Sequence, residues 1–146
     1  MENLVKNLNC LLSDLNVFYR KLQNYHWNVK GKDFFTMHTK LEEYYDEINE
    51  EIDEVAEHIL MLNNEPLGTM KDYLDNTCIA EAKNEKIDEC EVIKNIIVDY
   101  GTLLKKVTEI KEEAETQKCY GTSSLMDNYI SLYMKHLWML NQTDSK

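Results

Sequence analysis

Apolar side chains recur at Leu4, Leu8, Leu11, Leu15, Phe18, Leu22 and Tyr25, in alternating steps of three and four. That spacing marks one face of a helix and predicts a first long helix broken by Gly31 in "KGKD". A second stripe, Phe34, Met37, Leu41, Tyr44, Ile48, Ile52, Val55, Ile59 and Leu62, predicts a helix of about 30 residues. It should stop at "NNEPLG", where Pro66 and Gly68 both oppose continuation. Thr69 is a fitting N-cap for one or two helical turns over "TMKDYLDN". A third stripe runs from Ile87 through Val92, Ile96, Tyr100, Leu103 and Val107 to Ile110. Gly101 lies inside it and costs about 1 kcal/mol relative to alanine. After "KCYGTSS", Leu125, Tyr129, Tyr133, Leu137 and Leu140 form a fourth stripe ahead of the polar tail "NQTDSK". No stretch alternates with the period of two that a strand requires.

Four long helices with a short one between the second and third predict an all-α four-helix bundle filling residues 1–146 as one domain. The tight turn at Gly31 makes helices one and two antiparallel neighbours. The second-to-third connection is long enough to cross the bundle, as in ferritin-like folds.

Composition narrows the function. A net charge of −11 speaks against DNA or an anionic membrane as partner, and no basic tail offsets it. No apolar run reaches the ~18 residues of a membrane span. Cys10, Cys78, Cys90 and Cys119 are widely separated, without C-x-x-C or a histidine in ligand register. They predict reduced thiols and a cytoplasmic protein.

Helix bundles with iron in their own core draw Glu-x-x-His motifs from two helices. The residues three before His26, His38, His58 and His136 are Gln23, Phe35, Val55 and Tyr133, so no such motif exists. A different arrangement remains. His26 precedes Gly31 and His38 follows it, so an antiparallel turn sets both at about one height. Glu42 shares a helix face with His38, and Asp53 shares one with Glu57. Asp53 lies 15 residues beyond His38, roughly 22 Å along a helix, whereas ligands sit about 2 Å from an ion. One chain cannot join the halves, but a two-fold dimer can, by setting His26, His38 and Glu42 against the other copy's Asp53 and Glu57. On residue types alone, a solvated acidic face and helix-end polar groups remain the alternative. His136 falls on an apolar stripe and reads as a hydrogen-bonded core residue, and His58 as a surface residue.

The string "NYHWNVKGKDFFTMHTKLEEYYDEINEEIDEVAEHIL" resembles the signature of the Dps family, the dodecameric mini-ferritins. The matching elements are His26-Trp27, Gly31, Phe35, His38 and the Asp53-Glu54-Val55-Ala56-Glu57 run, and the likeness extends over essentially the whole chain. The resemblance implies an intersubunit ferroxidase centre for two iron ions, with His26, His38 and Glu42 from one subunit and Asp53 and Glu57 from its mate. It further implies oxidation of Fe(II), typically by hydrogen peroxide, with ferric mineral stored inside a shell of twelve subunits. Trp27 and Tyr44 would inherit a role in supplying or accepting electrons. The family usually carries Asp at the position of Glu42, Arg at that of His58, Gly-Gly at Asn63-Asn64, and acids where Tyr120 and Ser124 stand, leaving Asp127 one turn on. Competing functional classes are a DNA-compacting protein and a structural or metal-sensing helical assembly.

Overall fold

The computed structural model describes residues 1–143. Helix α1 spans Glu2–Asn28, α2 Phe34–Met61, α3 Met70–Asn76, α4 Glu89–Thr116 and α5 Tyr120–Thr143. The ferritin-like bundle with an extra short helix between the second and third long ones is therefore present. Every residue of the predicted first stripe is buried, as are Leu41, Tyr44, Ile48, Val55 and Ile59 of the second. Burying each such side chain stabilises the fold by about 1.5–3 kcal/mol, and together they form one core along the bundle axis.

Two boundaries differ from expectation. The fourth long helix starts at Tyr120, because Lys118 adopts a left-handed φ of 58°. That turn lets the Cys119 amide donate to the Ala114 carbonyl and redirects the chain within three residues of α4. The same helix continues to Thr143, into the stretch expected to be a polar tail; residues 144–146 of that tail lie outside the described residues. At the end of α2, Asn63 takes the left-handed position at φ 62° and Asn64 N–H donates to Ile59 O.

The expectation of no strand also needs correction. Val29–Lys30 (β1) and Ile87–Asp88 (β2) pair in parallel, Val29 with Ile87 and Lys30 with Asp88. Two residues are too few for periodicity to reveal. The pairing sets the start of α4 beside the end of α1. Because α2 also begins at that end, α2 and α4 run parallel, and the connection over residues 62–86 must climb the length of the bundle.

Polar side chains on α1 hold that climb at successive heights. Asn9 Oδ1 accepts from Leu67 N at 2.9 Å, and Asp14 Oδ1 accepts from Thr77 Oγ1 and Cys78 N at 2.7 Å each. Higher still, Asn24 reaches Asn84 at 3.4 Å. Asp14 is fully buried, and desolvation pushes its carboxyl above the usual range while the Cys78 amide and Thr77 hydroxyl pull it back. Thr69 caps α3 as expected, its hydroxyl accepting from Asp72 N at 3.1 Å, and Asp88 caps α4 through Cys90 N. Gly101 has open space around it, so a close helix crossing within one chain is not its reason.

Asp14→Ala should cost about 2 kcal/mol, since it strands two donors of the crossing segment. Hydrogen exchange is the check: amides around Cys78 should lose protection while those of α5 keep theirs.

Candidate metal centre

The α1–α2 turn brings the last turn of α1 against the first turns of α2, and with them His26 and His38. His26 Nδ1 lies 2.6 Å from the His38 carbonyl oxygen, and His38 Nδ1 lies 2.8 Å from the His26 carbonyl oxygen. A carbonyl can only accept, so each Nδ1 carries a proton, and the neutral form of each ring has its lone pair on Nε2. The two imidazoles stack at 3.7 Å between centroids with 11° between planes. Phe34 stacks on His38 at 5.1 Å, and Tyr45 meets His26 edge-on at 5.4 Å. Glu42 extends from the next turn of α2, its Oε1 3.8 Å from His26 Nε2. His26 is buried, His38 half-buried and Glu42 exposed. His26 Nε2 thus faces the Glu42 carboxylate beside the stacked His38 ring, and the Nδ1 proton of each imidazole is held by a backbone carbonyl, as in most histidine metal ligands.

Asp53 and Glu57 are both exposed, one turn apart on α2. Glu54 between them, also exposed, accepts from Tyr129 Oη at 2.6 Å. Glu57 borders a shallow depression shared with His58, Met61, Ser124 and Asn128. His38 and Asp53 both lie on α2, 15 residues apart, so the spacing of about 22 Å stands. Among the described residues, no three His, Cys, Asp or Glu side chains of one chain come together closely enough to hold an ion.

Trp27 and Tyr44 part company from the pair in different directions. Trp27 is 56% exposed and lines a groove of about 340 Å³ with Arg20, Asn24, Met70 and Leu74. Tyr44 points into the core, 5.5 Å from the Tyr100 ring and 5.0 Å from His136. Burial, with the charges of Glu47 and Glu43, pushes its phenol up to about 12. The tyrosine next to His26 is Tyr45, backed by Tyr19 at 5.8 Å. Periodicity does not mark it, because Tyr44 falls on the apolar stripe and Tyr45 one position off it.

Behind α2 lies a second polar layer. His136 is buried and hydrogen-bonded to Glu47 at 2.6 Å, as its place on an apolar stripe suggested. Tyr133 donates to Glu51, whose carboxyl burial raises to about 8 despite that bond. His58, expected at the surface, is instead buried and paired with Thr122 Oγ1 at 2.7 Å. α5 covers it, and desolvation lowers its basicity. Asp127 is paired too: Lys111 Nζ lies 2.9 Å from its Oδ1 and donates to Ser123 Oγ at 2.7 Å.

Comparison with known proteins places the chain in a class. A ferritin-like domain model matches residues 5–146. DNA protection during starvation protein 2 of Bacillus anthracis is 37% identical, over 95% of this chain and 94% of its own. General stress protein 20U of Bacillus subtilis is 35% identical, over 95% of each. Among solved structures, a Dps protein of Vibrio cholerae O1 superposes with a TM-score of 0.93 at 38% identity, covering 97% of this chain and 88% of that one. It is described as a member of a broad superfamily of ferritin-like diiron-carboxylate proteins. Dps of Staphylococcus aureus superposes at 0.96 with 29% identity, over 100% and 97%. The chain is a ferritin-like protein, and within that class it belongs to the Dps family.

Replacing His58 by alanine should cost about 2 kcal/mol, from the cavity and the stranded Thr122 hydroxyl. Chemical denaturation would measure it, and a surface histidine would give a loss near zero.

Proposed function

We propose that this protein is a ferroxidase and iron store that oxidises Fe(II) with hydrogen peroxide at centres shared between two-fold-related subunits. The observation that carries the reading is the reciprocal bonding of His26 and His38. It leaves the Nε2 of each ring free as a donor, that of His26 facing Glu42 at 3.8 Å, and leaves the set one or two ligands short of a closed site. Asp53 and Glu57 supply the missing carboxylates if α2 of one subunit crosses antiparallel to α2 of the next. Imidazole with carboxylate and no thiolate suits Fe(II) as the substrate. The membership of the Dps family supports iron storage and protection.

Two ferrous ions at one centre match the chemistry of peroxide. Each loses one electron, the O–O bond breaks, and two protons complete two waters, so no hydroxyl radical leaves the site. Ferric product then collects as mineral inside a shell of twelve subunits. Trp27, next in sequence to a ligand, and Tyr44, in the aromatic core, are the residues we assign to electron supply.

Entry of Fe(II) departs from the family pattern. Tyr120 and Ser124 carry no charge, and Lys111 offsets that of Asp127. Attraction then rests on the net −11 of each chain, summed over the shell. The same charge argues that any protection of DNA comes from removing iron and peroxide, not from coating the duplex.

Subunit mixing tests the shared centre directly. His38→Ala and Asp53→Asn should each slow peroxide-driven Fe(II) oxidation sharply while leaving the shell assembled. Co-expressed, they should recover about a quarter of the parent rate, because half of randomly formed dimers are mixed and each mixed dimer holds one intact centre of two. No recovery, with mixed shells verified by mass spectrometry, sinks the assignment.

Glu42→Gln should weaken Co(II) binding about tenfold, whereas Tyr44→Phe should leave it unchanged. Titration calorimetry distinguishes the two.

A further inference from the structure

The histidine pair depends on a turn that is itself held from elsewhere. Between α1 and α2 the chain reverses over Val29–Asp33, and Gly31 adopts φ +149°. Phe34 N–H donates back to Gly31 O at 3.2 Å. The first turn of α2 has no side-chain cap of its own, since Asp33 at the N-cap makes no such bond. The N–H of that N-cap residue is held instead by Glu89, the first residue of α4 and 56 positions away. Its two carboxylate oxygens accept from Asp33 N at 2.9 and 3.2 Å. Glu89 is 7% exposed and fills the space against Gly31 so closely that a Cβ there would lie 2.4 Å from its carboxylate. Beside it, Val29 and Lys30 pair with Ile87 and Asp88.

A buried carboxylate with one backbone donor is costly unless it does something a smaller side chain could not. Here it ties the α1–α2 turn to α4, and that turn sets the register of His26 against His38. Their reciprocal bonds span 2.6 and 2.8 Å, so a slip of about 1 Å would take both beyond hydrogen-bond range.

We propose that Glu89 is a positioning residue for the metal centre: its carboxylate caps Asp33 and packs on Gly31, holding the turn in which His26 and His38 lock each other's tautomer. The metal part rests on the ferroxidase reading above; the tautomer part does not.

The test uses assembled, metal-free protein labelled with 15N-histidine and observed by magic-angle-spinning NMR at about pH 8, where imidazoles are neutral. In the parent, His26 and His38 should appear as Nδ1–H tautomers, assigned by loss of their signals in His26→Gln and His38→Gln. Glu89→Ala should spread both rings over the two tautomers, and Glu89→Gln, which keeps the acceptor and the shape, should restore the parent signals. Co(II) titration of the same proteins should show about tenfold weaker binding for Glu89→Ala and parent-like binding for Glu89→Gln. Unchanged ring signals in Glu89→Ala overturn the proposal. So does a Glu89→Gln variant as impaired as Glu89→Ala, because charge and not position would then be the cause. If the parent takes up no Co(II), the metal reading falls, and the ring signals still decide the role of Glu89.

Discussion

A metal ion accepts ligands at about 2 Å, while a helix parts residues 15 positions apart by roughly 22 Å. That mismatch organises the function proposed for this chain. In that proposal His26, His38 and Glu42 are one half of a coordination sphere, where the end of α1 meets the head of α2. Asp53 and Glu57 are the complementary half, about three-quarters of the way down α2. A straight helix cannot fold back on itself, so joining the halves requires a second molecule with its axis reversed. The oligomer in this view is part of the site and not a container added to it.

The head of α2 is built to hold its half without help from a metal. Each histidine donates through Nδ1 to the other's backbone, so ring orientation and proton position are set together. Stacking on Phe34 and the edge of Tyr45 restricts the rings further. In the proposed centre, such preorganisation would spare an incoming ion the cost of ordering two imidazoles first. The turn beneath is shaped by Gly31 and by Glu89, so α4 is tied to the proposed site without contributing a donor to it.

The acidic character of the chain is spent unevenly. Asp14, Asp99 and Glu51 are buried, and burial raises each carboxyl above its ordinary range. Asp14 fastens the crossing segment and Asp99 pairs with the buried Lys21 at 2.8 Å. Asp127 is neutralised by Lys111. What remains exposed along α2, including Asp53 and Glu57, carries the field that would meet a cation. A histidine in the place of the family's usual arginine adds nothing to that field, because His58 is buried against Thr122.

The helices were legible in the sequence because packing a bundle imposes a 3.6-residue period on apolar side chains, and every residue of the first stripe obeys it. The separation of His38 from Asp53 was equally legible, since both lie on α2 and spacing along a helix converts directly into distance. What escaped was whatever depends on contacts far apart in the chain. Nothing local marks Val29 as the partner of Ile87, Glu89 as the cap of Asp33, or Asn9 and Asp14 as anchors for the crossing segment. His58 looked exposed until α5 covered it, and Tyr45 looked peripheral until it stood beside His26. Periodicity records which face of a helix is buried; only the tertiary structure decides what that face meets, because a hydrogen bond or ring contact is fixed by a few tenths of an ångström between elements that the sequence leaves unpaired.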